Sequence, residues 1–206
     1  MQRHVTVSAE GSVSARPDMA RVSSGVVSEA ETAAAALSAN SAAMEKLIAG
    51  LKAAGIAGED IKTASFNVSP RYVHNRDGQP PRIDGYRVSN DVAIIVRDLE
   101  KLGALLDQLV RNGGNQIGGL SFDIAKADSL KDEARRAAMA NARKRAELYA
   151  TAAGARLGDV LSISEETVHV APRGAVMARS AMAESVPIAE GSQDIEVRVT
   201  VTWELK

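Results

Sequence analysis

The feature that most restricts the fold is an alternation with a period of two in the last strand-like segment. Ile195, Val197, Val199, Val201, Trp203 and Leu205 alternate with Glu196, Arg198, Thr200, Thr202 and Glu204. Successive strand side chains point to opposite faces, so this segment reads as a strand with one dry face and one wet face. The opening segment repeats the pattern: Val5, Val7, Ala9, Gly11, Val13 and Ala15 alternate with Thr6, Ser8, Glu10, Ser12 and Ser14. A chain with a half-buried strand near each end must build a sheet, cover one of its faces, and leave an edge that needs covering or a partner.

The middle of the chain supplies the cover. Arg16 to Asp18 is turn chemistry and Met19 to Ala30 resumes as a second strand, so an opening hairpin-like pair is expected. Thr32 is a plausible N-cap for a helix carrying Leu37, Met44, Leu47, Ile48 and Leu51 and stopped by Gly55. "TASFNVSPRYV" reads as a third strand with Phe66, Val68 and Tyr72 on one face, and "HNRDGQPPR" as a loop. Tyr86 to Val96 is a fourth strand. Asp98 is placed to cap a helix striped with Leu99, Leu102, Leu105, Leu106, Leu109 and Val110.

"NGGNQIGG" ends that helix, "LSFDIA" is a short fifth strand, and Ser129 opens a long helix to about Ala153. Within it Ala134, Ala138, Ala142, Ala146 and Ala150 recur every four residues as a smooth ridge that permits close approach. Val160 to Val170 is a sixth strand. Residues 171–193 show no period, which reads as an arm that is flexible or ordered by a partner. The order ββαββαβαββ predicts an α+β fold, mainly antiparallel sheet layered with helices, as one domain over residues 1–206 or one with two sub-lobes.

Composition removes several function classes. A net charge of −1 gives no bulk attraction to nucleic acid, and two Phe, three Tyr and one Trp offer few surfaces for stacking bases. Without cysteine there is no disulfide, thiolate nucleophile or thiolate-bound zinc. No apolar run reaches the length of a membrane-spanning helix. The start lacks the apolar core of an export signal, and Met1 is compatible with a start that replaces a removed one.

Candidate sites fare no better. His4, His74 and His169 lie far apart and share no helical spacing with another ligand, so they read as surface residues. The glycines of "NGGNQIGG" follow a helix and enter a strand, the reverse of a phosphate loop. Arg135, Arg136, Arg143, Lys144 and Arg145 sit among Asp128, Asp132, Glu133 and Glu147. The i, i+4 pairs Asp132–Arg136 and Arg143–Glu147 mark a solvated face, with an anionic partner site as the alternative.

Glu59-Asp60 and Glu165-Glu166 are sequence neighbours that point different ways and make no acid–base couple. Met177 and Met182, downstream of His169, could bind soft copper(I) or scavenge oxidant, but read better as apolar residues of a docking or disordered segment. No catalytic, cofactor-binding or metal-binding residue is assigned.

Three blocks carry a family likeness. "GYRVSNDVAIIVRDLEKLGALLDQLVRNGGNQIGGLSFDI" resembles the centre of the SIMPL-domain family, the YggE-like group that includes bacterial periplasmic immunogenic proteins. "VTVSAEGSVSARPDMARVSSGV" is similar to the family's opening, and "ARRAAMANARKRAELYATAAGARLGDVLSISE" to its alanine-spaced helix and following strand.

The resemblance implies an α+β fold, export to the periplasm or association with the outer membrane, and large homo-oligomers in some members. It also implies a link to oxidative-stress tolerance, and it supplies no catalytic residues. The leading expectation is therefore a non-enzymatic, exported, self-assembling protein. A metal- or small-ligand-binding protein of oxidant defence and a protein–protein adaptor are the rivals.

Overall fold

The computed structural model describes residues 3–73, 80–173 and 188–206. The elements are β1 (His4–Ala15), β2 (Met19–Ala30), α1 (Ala33–Ala53), β3 (Ile61–Val73), β4 (Arg82–Val96), α2 (Leu102–Arg111), β5 (Gln116–Asp123), α3 (Ala127–Ala152), β6 (Leu157–Arg173) and β7 (Ser192–Leu205). Their order is the predicted one, and the fold is α+β. The strands form two wholly antiparallel sheets, β1-β7-β6 and β3-β4-β2-β5. The chain divides into two compact units, one per sheet.

In the three-stranded unit β7 is the centre. It pairs with β1 from His4↔Glu204 to Ala15↔Gln193, which sets the apolar positions of both strands on one face. That face is covered by α3, whose five ridge alanines are completely or almost completely buried, Ala134, Ala138, Ala142 and Ala146 in one cluster with Val7, Ala9, Val197, Val199, Val201 and Trp203. The approach is close because Gly11 has no side chain. A Cβ there would lie 2.2 Å from the carbonyl oxygen of Ala134 and 2.3 Å from the nitrogen of Ala138.

The helix also stitches the β1 edge. Asn141 Nδ2 donates to the Glu10 carbonyl at 2.8 Å and Arg145 Nη1 to the Ser8 carbonyl at 3.0 Å, which satisfies acceptors that an edge strand leaves open. On the opposite face Thr6 and Thr202, Ser8 and Thr200, and Glu10 and Arg198 form cross-strand polar pairs.

The four-stranded unit has a bulkier core. Val22, Val26, Val92, Ile94 and Val96 of the sheet meet Met44, Leu47 and Leu51 of α1 and Leu102, Leu105 and Leu109 of α2. Each such aliphatic side chain contributes about 1.5–3 kcal/mol by leaving water. Asn40 of α1 is buried among them and donates to the carbonyls of Val26 at 2.8 Å and Val88 at 3.3 Å, tying the helix to β2 and β4. Asn115 does the work of a strand residue: its amide accepts from the Val27 N–H and donates to the Val27 carbonyl, both at 2.8 Å.

Helix ends follow sequence chemistry. Thr32 caps α1, its hydroxyl accepting from the Ala35 N–H at 3.2 Å. At the other end Gly55 takes φ +91°, its N–H bonds to the Lys52 carbonyl, and the Ile56 N–H bonds to the Leu51 carbonyl. These are the two bonds of a Schellman stop, which a glycine permits without strain. The same pair of bonds closes α2 and α3.

Several expectations are corrected. β1 and β2 do not form a hairpin: β1 pairs with β7, while β2 lies between β4 and β5. Pro17 has no N–H to give a ladder, and the Asp18 N–H is taken by the Asp123 carbonyl at 3.1 Å. The second half of "NGGNQIGG" is strand, since Gln116, Ile117 and Gly118 pair with Gly25, Ser24 and Ser23.

α3 starts at Ala127, two residues before Ser129, whose hydroxyl donates to the Lys126 carbonyl at 2.9 Å. β6 runs to Arg173 and β7 begins at Ser192, so both ends of the unpatterned stretch are strand. Its residues 174–187 lie outside the described residues, as does most of the loop at "HNRDGQPPR".

Replacing Ala138 by Leu should overpack the α3–β1 contact and destabilise the protein by about 1–3 kcal/mol. Exposed Lys144→Leu on the same helix should change stability by less than about 0.5 kcal/mol. Urea denaturation of both variants checks this; equal midpoints would show that the ridge is not tightly packed.

Candidate functional site

The strongest polar constellation lies in the four-stranded unit, at the corner where β4 leaves the sheet. A single 3₁₀ turn, Gly58–Asp60, leads into β3 and directs the Asp60 carboxylate inward, where only 7% of its side chain is exposed. Arg97, the first residue after β4, meets it with two parallel bonds: Nε to Oδ2 at 2.9 Å and Nη2 to Oδ1 at 2.7 Å. This fork-to-carboxylate geometry fixes the guanidinium plane. The Arg97 bond, working against desolvation, holds the Asp60 carboxyl below its ordinary value.

Asp98 stands at the N-cap position of a 3₁₀ turn, Leu99–Lys101, that leads into α2, but its side chain makes no cap bond. It pairs instead with Lys101 Nζ at 2.6 Å, and that contact lowers its carboxyl's pKa. The predicted cap is thus an ion pair across one turn. Its cause is the reach of Lys101, three residues on, back to the turn's start.

Beside these two ion pairs is a cavity of about 500 Å³. Its walls come from the Schellman end of α1 at Gly55 and Ile56, the turn at Glu59 and Asp60, the end of β4 at Ile95 to Arg97, and α2 at Ala104, Leu105 and Gln108. The lining mixes apolar side chains, Ile56, Ile95, Val96 and Leu105, with charged ones, the usual composition of a small-molecule pocket.

Of the candidate-site residues weighed from sequence, Glu59 and Asp60 line this cavity, with Asp60 committed to Arg97. His4 opens β1 opposite Glu204; His169 pairs with Glu196 through the backbone, and its side chain lies outside the described residues, as do His74, Met177 and Met182. Among the described residues no group of three His, Asp or Glu side chains could hold a metal ion. Glu165 and Glu166 do point apart. Glu165 binds Arg135 at 2.9 Å, which lowers its carboxyl's pKa, while Glu166 faces Arg198 at 3.5 Å.

The basic run of α3 is largely engaged. Arg143 bonds Glu147 at 2.8 Å as predicted, whereas Asp132 bonds Arg135 at 2.7 Å and not Arg136. Arg135 reaches Asp132 and Glu165 together, so it outcompetes Arg136 for that carboxylate. The Arg97–Asp60 pair escaped the sequence reading because its members are 37 residues apart and meet only through the β3–β4 ladder, in which Ile61 faces Ile94. An acidic residue just before one strand and a basic one just after its partner was the available signal.

Asp60→Asn should cost about 1.5–3 kcal/mol, the range for a hydrogen bond to a charged group. Because the folded carboxyl titrates below its unfolded value of about 4, its contribution is fully present above that pH and is lost as pH falls through the folded value. The gap between wild type and Asp60→Asn in urea midpoint should therefore be constant near neutrality and close on acidification below about pH 4. A gap that persists at pH 2 would show that packing and not charge carries the effect.

The family model SIMPL, described as "Protein of unknown function (DUF541)", matches residues 5–203. The chain is 38% identical over 211 residues to the 26 kDa periplasmic immunogenic protein of Brucella melitensis, covering 98% of this chain and 84% of that protein. It is 32% identical over 185 residues to the uncharacterized protein YggE of Escherichia coli, covering 90% and 74%. A match to YggE of Edwardsiella ictaluri is 36% identical over 160 residues, 78% and 66%. With the two antiparallel sheets and their helices in place and the match running almost end to end, the chain belongs to the SIMPL family.

Proposed function

We propose that the protein is a non-enzymatic component of the bacterial cell envelope, located in the periplasm or at the outer membrane, that works as a homo-oligomer and contributes to oxidative-stress tolerance. The observation that carries the reading is β3. It is an edge of its sheet, thirteen residues long, and Phe66, Val68 and Tyr72 are exposed along one of its faces, with Ile83 of β4 beside them.

A long edge with exposed apolar side chains is a template for pairing with another chain. β6 supports the same reading: it is also an edge, with Val160, Leu161 and Ile163 exposed. The acidic and basic side chains that could otherwise serve chemistry are largely committed to each other, as in Arg97–Asp60 and Arg135–Glu165. Location in the envelope is supported by the name of the Brucella melitensis relative.

Light scattering on the purified protein after size exclusion should give a discrete multiple of 21.6 kDa. The double variant Phe66→Glu, Val68→Lys should lower that mass while leaving the circular dichroism spectrum unchanged. A wild-type monomer would overturn the assembly. A strain lacking the protein should lose survival under hydrogen peroxide, and unchanged survival would remove the stress role.

A further inference from the structure

The cavity at the end of α1 joins apolar side chains to a guanidinium of fixed orientation, and we propose that it binds a small amphipathic monocarboxylate, head on Arg97 and Lys101, body against Ile56, Ile95 and Leu105. Asp60 engages Nε and one proton of Nη2 of Arg97. The end-on pair, Nη1 and the second Nη2 proton, has no hydrogen-bond partner among the described residues, and 58% of the side chain is exposed. Two parallel N–H groups at that edge match the two oxygens of a carboxylate. Asp60 cannot relax away, being buried, so the donor edge is held in place before a ligand arrives, and little ordering remains to be done on binding.

Charge selects the head group. Arg97 and Lys101 supply two positive charges against three negative ones from Glu59, Asp60 and Asp98, so the lining has a formal charge of −1. A phosphate monoester, at close to −2, meets strong repulsion there, whereas a monoanion needs only the two cations it touches. A cationic head finds Asp60 and Asp98 already occupied by Arg97 and Lys101, so that of the lining's three carboxylates only Glu59 is left to receive it. The volume of about 500 Å³ and the Ile and Leu side chains of the lining favour an acyl or aryl body over a polar one.

The test titrates the full chain with sodium octanoate, with octanamide as the neutral control, by saturation-transfer NMR and calorimetry. Saturable octanoate binding is expected, about tenfold tighter than for the amide, the value of one charge-assisted contact. Ala104→Phe fills the cavity from exposed α2 surface, at a residue that belongs to neither ion pair, and should abolish binding. Lys101→Gln should weaken octanoate and leave octanamide unaffected. Circular dichroism verifies that both variants fold. No saturable octanoate binding, equal affinity for the amide, or binding that survives Ala104→Phe would each overturn the proposal.

Discussion

Gly11 lets the backbone of β1 run against the backbone of α3, with space for nothing between them. The three-stranded unit depends on that contact. At such a separation the fully buried ridge of the helix is alanine on every turn from Ala134 to Ala146, with Leu130 and Met139 packing at its margins. Little apolar area is gained per ridge residue, so the unit relies on the length of the match along two long strands and on the larger side chains around it, Ile124, Ile195 and Trp203 among them. Closeness also allows Asn141 and Arg145 to reach the carbonyls of β1, so one constraint both packs the helix and seals an edge.

The four-stranded unit solves the same problem differently. Its two helices stand off the sheet on Leu and Met side chains, and two asparagines, Asn40 buried and Asn115 exposed, tie neighbouring segments to the strands. Asn40 addresses carbonyls of two strands, and Asn115 substitutes for a backbone unit where β5 begins. The Asn40 amide contributes modestly to stability but penalises wrong pairings, because losing its two donor bonds would leave a buried N–H group unsatisfied. The Arg97–Asp60 pair belongs to the same class: it locks the exit of β4 to the entry of β3, and in doing so shapes one wall of the cavity.

Elements set by local chemistry were legible in the sequence. Thr32 and Gly55 bounded α1, the alternation in Ile195 to Leu205 gave a strand face, and the alanine ridge gave a buried helix face. Pairing was not legible, because a period of two says which face is dry and nothing about which strand is the neighbour. Hence a hairpin was expected between β1 and β2, whereas β1 joins the last strand instead. The site was hidden for the same reason. Asp60 and Arg97 carry no helical or turn spacing, and their convergence follows from a ladder whose register shifts at Ala64.

The pairing of β1 with β7 bears on the order in which the molecule can form. β7 is the central strand of its sheet, yet it follows every other element along the chain. The four-stranded unit draws all its strands and helices from one continuous stretch, Asp18–Asp123, and can condense from contacts made within it. The other unit must hold β1 and α3 without their common partner until β7 is available, then close a loop spanning most of the sequence. Contacts so distant in sequence form slowly. The chain is therefore built as a fast-closing interior segment flanked by two halves of a late clasp, and the alanine face of α3 stays open until the clasp shuts.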